Sequence, residues 1–506
     1  MNLTVKSFGI ITFIAIVSKL LGFGRDTLIA AFFGTSATSD AYFIASIIPT
    51  ILFASVGMTI TTGLVPIYAN IKTKSNKEAS QIIRVLGTLF FIMSILVTII
   101  FYIYTPFVTR IMAPGFQQEQ LELTNSLTRI MLPSFCFYVL SAVMTSILEY
   151  ERNFVPPALV TIPQNLFIII AIVFLSQTYG IYAIAITTLI GAFFQVIIQY
   201  PSTKKYNIIK FDLHFKKNRK VIKDTLFLLT PMIIASVAFQ FNAVIDRMVA
   251  SQLPSGSVSA LNYASKLMYL PLSIILLPLI TVLYPSVVDA AVEKGNSLCK
   301  MLFKGINMLT FISIPLLIVM FVESRELVDF AYRRGVFDET ASNMTTNAFF
   351  FYSLGMVFLA LKEWLNRFFV AIKETRITMY TSIISIMLNI ILSITLSTFL
   401  EVGGIALATS IALFTQTFVL LLFLPKKLVI EKKIFLAFCL NHIKLFLTFL
   451  STLVLTKALS ILYQHQYVIV QLLLTTFFTL LLFIGFSYLY KVTELREATN
   501  RFYNYK

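Results

Sequence analysis

The residues in this chain most able to do chemistry are charges set inside otherwise apolar sequence. Lys19, Arg25 and Asp26 interrupt the first apolar run in the segment SKLLGFGRD (18–26), Asp246 and Arg247 interrupt a later one, and Lys266 follows in the next. Asp40 sits near the start of the second run. Four cations, Lys19, Arg25, Arg247 and Lys266, thus stand against the supporting acids Asp26, Asp40 and Asp246. A residual positive charge suits an anionic ligand, because guanidinium forks match phosphate oxygens with paired hydrogen bonds. A pump for cationic drugs calls for the opposite balance. Other chemistries lack their residues: the chain has no G-x-x-x-x-G-K-[ST] loop to cradle ATP, no H-E-x-x-H and no Cys/His ligand set. The expectation is a protein that is not an enzyme and needs no cofactor beyond a coupling ion. Cys136, Cys299 and Cys439 are far apart in apolar stretches and form neither a disulfide framework nor a metal cluster.

Such charges are costly where they stand. A Lys, Arg or Asp at the centre of a bilayer-spanning helix costs about 2.5–3.5 kcal/mol on insertion scales, so they must face a watery cavity or one another. Neighbouring residues point about 100° apart on a helix, which makes Arg25–Asp26 or Asp246–Arg247 a poor self-neutralising pair and favours the cavity. Gly22 and Gly24 flank Phe23 beside Arg25. They read as a hinge, where the span unwinds or bends between states, or as a place where helices pack through small residues. Asn389 and Thr409, polar residues in later apolar runs, are expected to join Asp246 in a metal site for a sodium ion; the alternative is that they bond neighbouring helices.

Composition says what kind of elements position these residues. Of 506 residues 58% are hydrophobic and only 12% charged, against about 25% charged in soluble domains, and mean hydropathy is +0.86. The chain must use lipid as its solvent. Runs such as Phe167–Leu175 and Val468–Tyr488 are long and apolar without a period-two alternation, unlike the alternating strands of a β-barrel. The net charge of +17 lies mostly in short connections between apolar runs, which argues for membrane orientation rather than nucleic-acid binding.

Apolar stretches long enough to cross a bilayer recur about fourteen times, the first near 7–33, the seventh near 225–251 and the last near 466–490. Placing both termini in the cytoplasm puts most Lys and Arg inside and leaves Arg110, Arg129, Arg325, Arg333, Arg334 and Lys457 outside. The longest polar connection, 203–224, suggests a division into an N-lobe at 1–202, a basic cytoplasmic linker at 203–224, a C-lobe at 225–425, and two further spans with a tail at 426–506. A shift of 222 residues aligns Arg25 with Arg247, Gly34 with Gly256, Asp40 with Asn262 and Pro49 with Pro271. The shift crosses an even number of spans. The expected fold is therefore an all-α polytopic membrane protein: two six-helix lobes related by a pseudo-twofold along the membrane normal, plus two C-terminal helices.

The stretches SKLLGFGRDTLIAAFFG (18–34), SDAYF (39–43), MAPGF (112–116), ASQLPSGSVSALNYASKLM (250–268), RRGVFD (333–338) and GGIALATS (403–410) occur in one order along nearly the whole chain. In these the sequence resembles the MurJ/MviN family of lipid II flippases, within the multidrug/oligosaccharidyl-lipid/polysaccharide exporter superfamily. The resemblance implies a cationic central cavity between the lobes and a lipid-facing groove along the last two helices. Lys19 and Arg25 match the family's basic residues in span 1, Asp40 its aspartate in span 2, and Lys266 its basic residue in span 8. Lys19 and Lys266 stand where many members have Arg, and Phe53, Ala54 and Ser55 replace an EGAF-like run. The implied activity is alternating-access movement of undecaprenyl-pyrophosphate-linked peptidoglycan precursor across the bacterial cytoplasmic membrane, with Lys19, Arg25, Arg247 and Lys266 on the pyrophosphate. The implied partners are that lipid-linked saccharide, bilayer lipid and cell-wall synthesis proteins, and coupling is to sodium, protons or membrane potential. A flippase for another lipid-linked saccharide and a cation-coupled drug exporter are the rival expectations.

Overall fold

Backbone groups in a hydrocarbon environment must find their partners within their own segment, and a helix does this for every interior residue. The computed structural model describes residues 2–73, 75–206, 210–293, 296–428, 431–464 and 466–504, and its regular elements are all helical. In order they are α1 (Asn2–Phe33), α2 (Ala37–Leu52), a π-helical turn (Phe53–Gly57), α3 (Met58–Lys72), α4 (Asn76–Ile103), α5 (Thr105–Met112), α6 (Gln118–Met131), α7 (Ser134–Tyr150), α8 (Val155–Leu159), α9 (Thr161–Tyr179), α10 (Tyr182–Thr203) and α11 (Arg219–Ala250). There follow α12 (Ser257–Pro271), a second π turn (Leu272–Leu276), α13 (Leu277–Glu293), α14 (Asn296–Val322), α15 (Ser324–Tyr332), α16 (Glu339–Ala371), α17 (Thr375–Leu400), α18 (Val402–Lys427), α19 (Lys432–Tyr463), α20 (Val468–Leu489) and α21 (Thr493–Asn504).

Twelve of these segments are long and apolar enough to cross a bilayer, at the places expected for spans 2–6 and 8–14. At the places expected for the first and seventh, α1 and α11 are helices of 32 residues each. That is about 48 Å at 1.5 Å per residue, against a hydrocarbon core of about 30 Å. Polar side chains close the helix ends: Ser36 and Ser39 form a reciprocal capping box on α2, and Asp338 accepts from the Ala341 N–H at the start of α16.

The repeat appears in the backbone. Left-handed residues recur at Gly34 and Gly256, Arg152 and Lys373, and Gly180 and Glu401, offsets of 221–222. The aligned prolines each precede a widened turn, Pro49 before Phe53–Gly57 and Pro271 before Leu272–Leu276. Proline withdraws an N–H from the helical ladder, and a π turn is one way a helix absorbs the misfit.

Packing divides the chain into two compact units, Met1–Ser259 with Arg334–Phe337, and Ala260–Arg333 with Asp338–Lys506. This departs from a boundary at 203–224. The reason is α11: although it opens the second repeat, it packs on α2, α3 and α5, with Leu229 in a core built on Ile60 and Leu64 of α3 and Phe135, Val139 and Val143 of α7. In the first unit α1 also lies along α9, and α10 joins α9 to α7.

The second unit centres on α16 and α18, with α14 against α16 and α19. The appended pair is held by a narrow stripe. Gln471, Thr475, Thr479, Phe483 and Ser487, every fourth residue of α20, are buried, and Thr448, Thr452, Thr456 and Ser460 of α19 are buried likewise. Small side chains at this spacing let backbones approach closely, which is how helices associate where lipid removes the hydrophobic drive. At the far end of α14, Glu323 is 1% exposed. It accepts hydrogen bonds from Gln471 Nε2 at 2.6 Å and Thr475 Oγ1 at 2.7 Å, which tie α20 to the second repeat.

Candidate functional site

In α1, Ser18 and Arg25 are seven residues apart, two turns of helix, and share a stripe that meets Asn165 of α9. Arg25 Nη1 donates to Asn165 Oδ1 at 3.0 Å, and Asn165 Nδ2 donates to the Ser18 carbonyl at 3.4 Å. Arg25 Nε and Nη2 both reach Asp26 Oδ1, at 3.0 and 2.8 Å. The adjacent pair therefore does form, against the expectation drawn from Cβ directions. An arginine side chain is long enough to curl around the helix and bring its fork onto its neighbour. The ion pair is not sealed: the Arg25 side chain is 21% exposed and that of Asp26 7%. Polar groups continue from this point. Gln195 Nε2 donates to Gln164 Oε1 at 3.0 Å, Gln164 Nε2 donates to the Tyr138 hydroxyl at 2.8 Å, and buried Tyr42 bonds Thr188. Two separate sets of neutral hydrogen bonds, one through Tyr138 and one through Tyr42, thus lie near the arginine.

The remaining cations lie on α1, α11 and α12. Lys19 is half-buried on α1, and six residues from Arg25 it points about 120° away around the helix, so the two do not share a stripe. On α11, Asp246 and Arg247 are half-buried, and Arg247 Nη1 donates to the Ala243 carbonyl at 3.2 Å. Lys266 is half-buried on α12 in the second unit. Helix α1 runs unbroken through Gly22 and Gly24 rather than unwinding there. Close packing demands neither glycine: a Cβ on Gly22 would meet only Asn165 Nδ2 at 3.7 Å, and one on Gly24 nothing within 4 Å.

Of the expected sodium ligands, Asn389 and Thr409 meet, with Asn389 Nδ2 donating to Thr409 Oγ1 at 3.1 Å. That bond joins α17 to α18, the alternative use of such residues, while Asp246 belongs to the other unit. Among the described residues no group of three or more His, Cys, Asp or Glu is placed to hold a metal.

Asp40 has a different place from the one its charge suggested. It is 2% exposed and caps α12. It accepts the Gly256 N–H at 2.7 Å, the Ser259 N–H at 2.7 Å and the Ser259 hydroxyl at 2.6 Å. Ser39 Oγ adds a bond to Ser259 Oγ at 3.1 Å. Nearby, two backbone approaches mirror each other. A Cβ on Gly115 would lie 2.3 Å from the Ser251 carbonyl oxygen, and one on Gly335 2.2 Å from the Ala31 carbonyl oxygen. One offset of 220 converts the first contact into the second. The Val336 N–H also donates to Ala31 O at 2.9 Å. All of these residues lie in the first unit, at the end assigned to the outside by the Lys/Arg distribution.

Sequence reasoning passed over Asn165, Gln164 and Gln195. Their signal was present: an adjacent Gln–Asn within the apolar run IPQNLFIII (162–170), and Gln195 with Gln199 one turn on in the following span, all expensive in lipid and so placed for a purpose.

This architecture, helices spanning a membrane in two repeats with an appended pair, defines a polytopic protein of the transporter type. Comparisons narrow it. A family model described as "Lipid II flippase MurJ" matches residues 29–478. A probable lipid II flippase MurJ of Buchnera aphidicola subsp. Schizaphis graminum (strain Sg) is 32% identical over 439 residues, covering 85% of this chain and 84% of its own. One from Rickettsia prowazekii (strain Madrid E) is 28% identical over 506 residues, 97% and 98% of the two chains. A solved structure of lipid II flippase MurJ in an inward closed conformation superposes with a TM-score of 0.81 at 27% identity, covering 95% of this chain and 98% of that one. An inward-facing multidrug resistance MATE family transporter of the MOP superfamily shares the fold alone, with a TM-score of 0.69 at 14% identity over 81% of this chain and 97% of its own. The chain belongs to the lipid II flippase MurJ family.

Proposed function

We propose that this protein moves lipid II, the undecaprenyl-pyrophosphate-linked peptidoglycan precursor, from the inner to the outer leaflet of the bacterial cytoplasmic membrane, with both termini in the cytoplasm. Family membership supports the reading. The single observation that carries it is Arg25, a guanidinium in an apolar helix, held from behind by Asn165 and from the side by Asp26, with a fifth of its side chain open. A pair of pyrophosphate oxygens is a better bidentate partner for that fork than the single Asp26 oxygen it now engages. The substrate displaces Asp26, and Asn165 keeps the fork aimed. Lys19, Arg247 and Lys266 add positive charge for the remaining phosphate oxygens.

Passage outward requires the outer end to open. There the cap from Asp40 and the mirrored contacts of Gly115 and Gly335 must release, while α1 bends at Gly22 and Gly24. The polyprenyl tail stays in lipid along α19 and α20. Asp246, Asn389 and Thr409 are the candidate ligands for a coupling sodium ion, protons or membrane potential being the other sources of drive, and cell-wall synthesis proteins are the candidate protein partners. The test is transbilayer movement of defined lipid-linked saccharides in vesicles holding the purified protein. Lipid II should cross, and Arg25→Ala should stop it without loss of insertion. Movement of a different lipid-linked saccharide in its place overturns the substrate assignment, and full transport by Arg25→Ala removes the site.

A further inference from the structure

The span formed by α2, its π turn and α3 carries no charged side chain from Ser46 to Thr62. Every fourth residue along it, Ser46, Thr50, Ala54, Met58 and Thr62, is half-buried or exposed. The Thr50 hydroxyl donates to the Ser46 carbonyl at 2.7 Å and that of Thr62 to the Met58 carbonyl at 3.0 Å, which leaves lone pairs on each oxygen to accept. The open face of α20, by contrast, is Leu473, Phe477, Leu480 and Ile484, the bulk expected against acyl chains. Phe53 stands at the middle of the hydroxyl-bearing face, half-buried, and its ring is held from two directions. It packs on Tyr138 with centroids 4.7 Å apart and planes at 47°. It also folds over its own π turn, where a Cβ on Gly57 would lie 2.9 Å from Phe53 Cδ2. Tyr138 in turn accepts a hydrogen bond from Gln164, the chain neighbour of the Asn165 that holds Arg25. Ring and guanidinium thus belong to one cluster of side chains in the first unit.

A pyranose has the two properties this surface matches. Its C–H face is apolar with slight positive charge, which the negative face of an aromatic ring attracts, and its rim is hydroxyl. An isoprenyl chain would cover the ring equally well but would set the flanking hydroxyls in hydrocarbon. Granted the transport reading above, we propose that Phe53 is the platform for the sugar next to the pyrophosphate, with Gly57 as its positioning residue. The ring makes this protein favour a glycosylated polyprenyl diphosphate over the sugar-free one. Arg25 meets the diphosphate that both lipids share, and Phe53 meets what only one of them carries.

Binding of lipid II and of sugar-free undecaprenyl pyrophosphate to the purified full-length protein is compared by titration in detergent, read by native mass spectrometry. The unaltered protein should bind lipid II more tightly. Phe53→Leu should weaken lipid II binding about three- to tenfold and leave undecaprenyl pyrophosphate within about twofold. Phe53→Trp should keep the preference. Gly57→Ala keeps the ring but pushes it off the turn, and should lower the preference with the unfolding temperature unchanged. Equal losses for the two lipids in Phe53→Leu, the result for a ring that touches isoprenyl or only braces the site, overturn the platform. So does an unchanged lipid II affinity in that variant. Failure of the unaltered protein to bind either lipid overturns the transport reading, and the platform with it.

Discussion

Replacing Asp40 by alanine should open the outer end. The carboxylate accepts two backbone N–H groups and one hydroxyl, all within 2.7 Å. Hydrogen bonds to a charged group are worth about 1.5–3 kcal/mol each, and losing a helix cap costs about 0.5–2 kcal/mol. Relief of the buried charge works in the opposite direction, so a net loss of about 2–4 kcal/mol is expected for the capped arrangement alone. That shifts a two-state equilibrium roughly 30- to 1,000-fold towards the uncapped form. Ser257, 1% exposed, reports on the change. In a protein whose Cys136, Cys299 and Cys439 have been replaced, Ser257→Cys should react slowly with an impermeant maleimide added outside. Adding Asp40→Ala should speed that reaction by up to the same factor. An unchanged rate in a protein that still inserts and melts cooperatively would refute the role of Asp40 as a latch.

Four further outcomes follow from particular contacts. Asn165→Leu strips Arg25 Nη1 of its partner, and flipping measured in vesicles should fall about tenfold or more, with insertion kept. Gly24→Ala meets nothing within 4 Å and gains about 1 kcal/mol of helix propensity, so unfolding should shift upward while flipping slows if α1 must bend there; unchanged flipping excludes the hinge. Glu401 sits at φ 50° and ψ −128°, where its repeat counterpart is Gly180 at φ 55°; Glu401→Gly should relieve about 1 kcal/mol of backbone strain, read as a higher unfolding temperature. Burial raises the Glu323 pKa above 4.5, the nearby charge of Glu326 adds to the rise, and the bonds from Thr475 and Gln471 oppose it. The folded state then binds this proton more tightly, so the contribution is complete below about pH 4.5 and fades as pH climbs through the raised value. Thermal unfolding above pH 4.5 should show that decline, and Glu323→Gln should flatten it.

Much of the fold could be read from residue order because lipid imposes few choices. Apolar runs of sufficient length become helices, and the 222-residue offset that paired Gly34 with Gly256 reappears as matching left-handed backbone. Arg25 was conspicuous for the same reason: a buried cation needs an explanation. The rest depended on partners remote in the chain. Nothing in SDAYF tells that Asp40 will cap a helix 216 residues away, and its placement near the start of α2 reads equally well as a local end charge. Geometry from Cβ vectors also misjudged Arg25 with Asp26, since side-chain reach outweighed a 100° separation. The π turns escaped because proline predicts a disturbance without saying what form it takes.

The insertion of Arg334–Phe337 into the first unit has a consequence for the order in which the protein is made. That unit cannot be finished when its last contiguous residue, Ser259, leaves the ribosome, because Ala260–Arg333 must be synthesised before the missing piece exists. At 5–20 residues per second this is a wait of roughly 4–15 s. During it the carbonyls of Ala31 and the neighbouring backbone have no Gly335 or Val336 to meet. The nascent chain should therefore be most vulnerable to membrane proteases in that interval. Stop codons placed before residue 334 should yield short-lived fragments, and stops placed after residue 338 longer-lived ones.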